Sequence, residues 1–307
     1  HRTDHKDGTA TYLREFLRQY MMAKRPVRTD YPSWNNVQFV ADSIAWDTDP
    51  LYGWCNKNFK KDGSPYNVYS DGLKVFTTID SRMQKYAEEA VYQHVARYLQ
   101  PAFDKENKPK PSSPYSDKLT PQQIRNILNR SITQSERWRT MKAAGCTPEE
   151  IKEAFRKKIE MTVFTYHGDI DTLMSPLDSI RYYKGFLRSG FMSMDPKTGA
   201  VKAYVGGLDY PHFMYDMVSL GRRQVGSTIK PFLYSLAMEN GFTPCDYAPN
   251  RQQTYIVAGR PWTPRNVSHA RYGQMVPLKW GLAQSNNWIS AYLMSKLNPN
   301  QFVQILH

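Results

Sequence analysis

The sequence predicts an α+β fold, and three observations predict it. Strand-like runs at residues 190–194 and 201–205 flank Asp195-Pro-Lys-Thr-Gly199, where proline and glycine suit a tight hairpin turn. Thr120-Pro-Gln-Gln123 and Thr147-Pro-Glu-Glu150 each carry a hydroxyl N-cap, a proline at the first helical position and a capping-box partner three residues on. Beyond Gly221 the pattern is mostly helical. Strands and helices mixed in this order suggest α+β.

Taken in order, residues 11–22 place Leu13, Phe16, Leu17 and Tyr20 at helical spacing and read as an amphipathic helix. From 25 to about 67 the pattern breaks at Pro26, Pro32, Pro50 and Pro65, so this stretch is expected to be an irregular connector. Asp71-Gly72 signals a turn, and residues 73–79 read as a strand. Asp80 or Ser81 then caps a helix running through Met83, Tyr86 and Ala90. Residues 101–118 read as a solvated loop, and 119–161 as a charged helical hairpin that carries no chemistry. Residues 161–166 are strand-like, and Ser175-Pro-Leu-Asp178 opens another helix.

Composition bounds what such a chain can be. The 307 residues suffice for one large domain or two modest ones with a real core. No run approaches the apolar length needed to cross a bilayer. The first residues are polar, without a signal peptide or a start methionine, so the chain reads as an internal piece of something longer. A net charge of +13 favours nucleic acid, an anionic membrane surface or an anionic polymer such as cell wall. The basic residues are scattered from Lys6 to Lys296 with no nucleic-acid signature, so charge alone does not choose among these. Cys55, Cys146 and Cys245 are odd in number and form no Cys-x-x-Cys pair, which argues against a metal or redox site. Each is expected to be a buried small residue, and no metal or organic cofactor is implied.

The most informative segment is Gly226-Ser227-Thr228-Ile229-Lys230-Pro231-Phe232. It heads a helix expected over 227–240 and closed by Gly241, with Gly226 allowing the turn before it. Residues at i and i+3 share a helix face, so the Lys230 amine can reach the Ser227 hydroxyl. Serine is a poor nucleophile without an adjacent base, and a desolvated lysine can be that base. The helix N-terminus also offers N–H groups for a developing oxyanion. Against this stands the plain reading, Ser227 as an N-cap and Lys230 as a solvated first-turn residue. Gly221 and Gly226-Ser227-Thr228 also mimic a phosphate loop, but serine follows the second glycine where that loop needs lysine.

With its flanks, Arg223-Gln-Val-Gly-Ser-Thr-Ile-Lys-Pro-Phe232 resembles the nucleophile motif of the class A penicillin-binding proteins, the bifunctional peptidoglycan synthases. Trp262-Thr-Pro-Arg-Asn266 resembles that family's Trp-x-Pro-x-Asn element, and Tyr272-Gly-Gln-Met-Val-Pro-Leu278 the run opening its next helix. Ala283-Gln-Ser-Asn-Asn-Trp288 is similar to the second catalytic motif, Ser-x-Asn, carried by Ser285 and Asn287. Upstream, Gly72-Leu-Lys-Val-Phe-Thr-Thr-Ile-Asp80 is similar to the strand opening the transpeptidase domain, and residues 194–207 to its first hairpin. These likenesses keep their order across about 72–295. Ser33-Trp-Asn35 also spells Ser-x-Asn but lies in the connector.

The resemblance implies a penicillin-binding transpeptidase fold, serine β-lactamase-like, with an incomplete antiparallel sheet flanked by helices and an inserted helical lobe at about 101–161. Residues 1–67 would be the interdomain connector and 68–307 the N-terminal part of the transpeptidase domain. Ser227 would attack the penultimate D-alanine carbonyl of a stem peptide, and Lys230 would take its proton. Ser285 would relay a proton to the leaving or incoming amine, and Asn287 would bind the substrate amide. Two residues apart, Ser285 and Asn287 do not share a helix face, so they fit a bend between helices at 278–284 and 288–297. Ser285 could equally cap the second of these.

The implied partners are peptidoglycan stem peptides and β-lactam antibiotics as covalent inhibitors, not nucleic acid. The implied place is the periplasm or the outer face of the cytoplasmic membrane, with anchoring by a segment outside this chain. The family's third motif, Lys-Thr-Gly, belongs after Ser-x-Asn; here Lys197-Thr198-Gly199 falls in the first hairpin turn and is assigned no catalytic role. The expectation is therefore that the segment alone acylates weakly or not at all. Rivals are a D,D-carboxypeptidase or β-lactamase with water as acceptor, and an inactive wall-binding scaffold that would need none of the four residues.

Overall fold

The computed structural model describes residues 8–306. The chain divides into two compact units, His1–Gly221 and Arg222–His307.

The first unit opens with α1 (Thr11–Met21), where Tyr12 is buried and its hydroxyl donates to the Phe213 carbonyl at 2.7 Å. Gly206 and Gly207 make room for that ring: a Cβ on Gly207 would collide with the Tyr12 hydroxyl. The stretch expected to be irregular contains α2 (Asn36–Thr48) and the short α3 (Trp54–Lys57). α2 has no side-chain cap and no buried residue, so neither a start signal nor a one-sided apolar stripe marks it. Its prolines lie outside it, punctuating the ends rather than excluding a helix.

Residues 73–79 form no strand. Two hydrogen bonds tie this segment's end to the first unit's last strand, from the Thr78 hydroxyl to Val201 O and from the Asp80 amide to Lys202 O. The place of a strand neighbour is taken by a side chain of α4 (Ser81–His94), which Asp80 caps by accepting from Arg82 and Met83. Gln84, fully buried, accepts from the Tyr204 amide at 2.7 Å and donates to its carbonyl at 2.8 Å. A primary amide thus stands in for a peptide group.

The loop expected from 101 is helical at its start. One π turn (Val95–Leu99) carries the chain into α5 (Gln100–Asn107), with Pro101 in the first turn, where it is tolerated. The expected two-helix hairpin contains three helices: α6 (Pro121–Gln134), α7 (Glu136–Ala143) and α8 (Pro148–Arg156). Ser135 ends α6 and caps α7 through the Trp138 amide, so one residue does two jobs that no spacer marks in the sequence. Both capping boxes form as expected. Thr120→Ala should therefore lower stability by about 1 kcal/mol, read from the denaturant midpoint.

Strands β1 (Ile159–Val163) and β2 (Ile170–Met174) pair antiparallel, and α9 (Pro176–Lys184) follows from its Ser175 cap. β3 (Phe191–Met194) and β4 (Val201–Val205) form the expected hairpin. The Asp195 carboxylate accepts from the amides of Lys197 and Thr198, and Gly199 sits at φ 72°. Lys197-Thr198-Gly199 is thus part of a turn.

In the second unit a 3₁₀ turn (Gly226–Ile229) leads into α10 (Lys230–Glu239). Three-residue strands follow: β5 (Tyr247–Pro249), β6 (Tyr255–Val257), β7 (Arg260–Trp262) and β8 (Met275–Pro277). β6 pairs with β7 and β5 with β8. Then come α11 (Leu278–Ala283), α12 (Asn287–Lys296) and α13 (Pro299–Ile305). Leu233, Ala237, Ala248, Val276, Ile289 and Leu293 make the core of this unit. Gly281 lets α11 approach closely: a Cβ there would meet Ile289 at 2.8 Å and the Tyr234 hydroxyl at 2.9 Å.

The architecture is α+β, and every ladder among the described residues is antiparallel. The pairing is divided among four two-stranded ladders rather than gathered into one partial sheet.

Candidate active site

The chain reaches the site through Gly226, whose φ of 58° is a conformation L side chains rarely adopt. Ser227 lies on the 3₁₀ turn, exposed, and its hydroxyl makes no hydrogen bond among the described residues. The α-helix begins at Lys230 rather than at 227, with Pro231 in its first turn. Lys230 is buried, with 6% exposure, and burial pushes its amine below the ordinary lysine value.

Its Nζ donates to three acceptors: the Ser285 carbonyl at 2.5 Å, Ser285 Oγ at 3.1 Å and Asn287 Oδ1 at 2.6 Å. The structure thus brings Lys230, Ser285 and Asn287 together. Ser227 stands on the turn before Lys230; the Lys230 amide donates to the Ser227 carbonyl, but no side-chain hydrogen bond joins the two among the described residues.

Ser285 occupies the bend between α11 and α12 at φ 49°. The helix cap is its neighbour Asn286, which accepts from the amides of Trp288 and Ile289. Asn286 Nδ2 donates to Asn250 Oδ1 at 2.8 Å. Asn250, with 0% exposure, donates in turn to the carbonyls of Ala270 and Arg271. A buried chain of amides therefore fixes the start of α12. Its cost of desolvation is met by these partners.

The Trp262-Thr-Pro-Arg-Asn266 segment holds the same bend from another side. The Asn287 side chain donates to Arg265 O at 2.8 Å, which leaves its oxygen to face Lys230. The Asn287 amide donates to Asn266 Oδ1 and the Trp288 indole to Pro264 O. Asn250 and Asn286 were not legible as site residues. Asn286 is hidden inside Ser-x-Asn although it stands at cap spacing, and nothing in the local sequence marks Asn250. Asn286→Ala should lower stability by about 2 kcal/mol, since it removes a cap and leaves Asn250 short of a buried partner. Thermal unfolding checks it.

A cleft of about 1190 Å³ opens beside these residues, lined by Gly226, Ile229, Leu233, Trp262, Asn287 and Met294 among others. Among the described residues no cluster of histidine, cysteine, aspartate or glutamate could hold a metal ion. The three cysteines are free; Cys55 is buried as expected, but Cys146 is only half-buried and Cys245 is exposed, since it lies in the turn between α10 and β5.

Residues 110–187 match the penicillin-binding protein middle domain, and 189–307 the penicillin binding protein transpeptidase domain. The chain belongs to the penicillin-binding proteins. Similar proteins include penicillin-binding protein 1A of Neisseria flavescens, 26% identical over 280 residues, and that of Neisseria lactamica, 27% identical over 263 residues. These alignments take in 80% and 75% of this chain, but 34% and 32% of the relatives, so the chain spans about a third of their length. Penicillin-binding protein 1A of Pseudomonas aeruginosa is 32% identical over 112 residues, 36% of this chain and 14% of its own. These relatives place the chain with the class A penicillin-binding proteins.

Among solved structures, penicillin-binding protein 1A from Haemophilus influenzae aligns over 91% of this chain and 41% of its own, at 18% identity and a TM-score of 0.46. Within this penicillin-binding protein, the middle-domain match contains α6 to α9, and the transpeptidase match contains Ser227, Lys230, Ser285 and Asn287.

Proposed function

We propose that this chain cross-links peptidoglycan stem peptides through an acyl-enzyme on Ser227, and that β-lactams acylate the same serine. The observation that carries the reading is the Lys230 amine, buried beside Ser285 Oγ and Asn287 Oδ1 at the first turn after Ser227. In the forward step the neutral amine takes the Ser227 proton while Oγ bonds to the penultimate D-alanine carbonyl carbon. The bond to the terminal D-alanine then breaks, and its nitrogen receives a proton through Ser285 Oγ. An amine from a second stem peptide reverses these roles: it attacks the ester carbonyl, gives up a proton through Ser285 and frees Ser227.

Asn287 is suited to hold the donor's amide, and the adjoining cleft has the volume for a peptide. We place the site at the periplasmic or outer face of the cytoplasmic membrane, where stem peptides lie. No helix among the described residues is long and apolar enough to cross a membrane.

The test is incubation with a fluorescent penicillin followed by intact and peptide mass analysis. Covalent mass gained slowly on the peptide holding Ser227, and absent in Ser227→Ala, is the expected result. Labelling that survives in Ser227→Ala removes the serine from its role. The lifetime of the adduct separates a transferase, which stays acylated, from a β-lactamase, which frees itself rapidly.

A further inference from the structure

We propose that the groove between α6, α7, α8 and α9 docks an acidic amphipathic helix of a partner protein. The four helices leave a cavity of about 730 Å³ between them, well apart in sequence from the catalytic residues. Its floor is apolar: Leu128, Ile132, Trp138, Ile151, Phe155 and Leu177. Leu128 and Ile132 stand four residues apart on α6, as do Ile151 and Phe155 on α8; Leu128, Ile151 and Phe155 are buried beneath the cavity, and Ile132, Trp138 and Leu177 are half-buried at its floor.

The rim carries Arg125, Lys142, Lys152, Arg156 and Arg181, and no aspartate or glutamate lines the cavity. Among the described residues only Arg181 of these five has a carboxylate partner, Asp178 at 3.0 Å. The Lys142 amine lies 4.7 Å from the centre of the Trp138 ring, Arg125 bonds the neutral Gln122, and Lys152 and Arg156 make no ion pair among the described residues.

Charge and shape together select the occupant. The cations come from four separate helices and surround the apolar floor, more than one anionic headgroup neutralises. A helix with a leucine-like stripe and carboxylates on both flanks meets the floor and the rim at once, the helix-in-groove mode of recognition.

The experiment uses the whole chain and two synthetic helical peptides sharing one leucine stripe, one flanked by glutamates and one by lysines. Fluorescence anisotropy is expected to show the glutamate peptide binding about tenfold tighter or better, with affinity falling as salt rises. Lys142→Glu with Lys152→Glu and Arg156→Glu should lower that affinity about tenfold and turn the preference toward the lysine peptide. All three side chains are exposed, and circular dichroism checks that the variant keeps its fold. Equal binding of the two peptides, binding of neither, or unchanged affinity in the charge-reversed protein overturns the proposal. So does dodecanoate perturbing the groove methyl resonances where the glutamate peptide does not, which would assign the site to an anionic amphiphile.

Discussion

Lys230→Met is expected to slow acylation by a β-lactam about a thousandfold. Methionine keeps the length and the apolar stem, so the first turn of α10 and the packing around it survive. What disappears is the amine that the proposed reading makes the base, and a positioned base contributes about a hundredfold to ten-thousandfold. The wild-type rate should rise with pH as the amine loses its proton, because only the neutral form accepts from Ser227. Burial lowers that amine's pKa, so the rise should be centred below the ordinary lysine value. In Lys230→Met this limb should vanish. Stopped-flow acylation across pH measures both, and a variant that keeps the rate and the limb would place the base elsewhere.

Gly281→Leu is expected to cost about 3 kcal/mol of stability, and Gly281→Ala about half as much, in urea unfolding. Helix propensity alone argues the other way, since alanine is favoured over glycine inside a helix by about 1 kcal/mol. The steric effect should win because a Cβ at 281 would lie 2.8 Å from Ile289 Cγ2 and 2.9 Å from the Tyr234 hydroxyl. Ile289 is fully buried and has nowhere to retreat. Since Ile289 sits on α12 just after Asn287, both variants should also slow acylation. An alanine variant more stable than the wild type would mean that the helices separate freely at this point.

What the sequence made legible follows from where the information is local. Thr120, Thr147, Ser175 and Asp80 announce their helices because a cap needs only the next three residues. The bend at 285–287 was likewise readable from the two-residue spacing of Ser285 and Asn287. α2 was not, since it has neither cap nor buried stripe. The expected strand at 73–79 failed for the opposite reason: its pattern suits a strand, but Gln84 occupies the hydrogen-bonding edge of β4 next to it. Asn250 illustrates the general limit. It stands thirty-six residues before Asn286 and acquires its meaning only when β5 is laid beside the start of α12.

The three acceptors around Lys230 carry a consequence for how the enzyme waits. An ammonium has three hydrogens, and Ser285 O, Ser285 Oγ and Asn287 Oδ1 can take all of them, leaving none directed at Ser227. In that protonation state Ser227 is exposed and, on the proposed reading, has no base turned toward it. Losing one proton leaves two hydrogens for three oxygens, so one contact must be released or reversed, and a lone pair replaces one donor. The Ser285 hydroxyl is the partner able to reverse, because it can donate as well as accept. A Ser285 hydroxyl that donates to the amine occupies that lone pair, so on the proposed reading a substrate that draws Ser285 away would free the lone pair for the Ser227 proton.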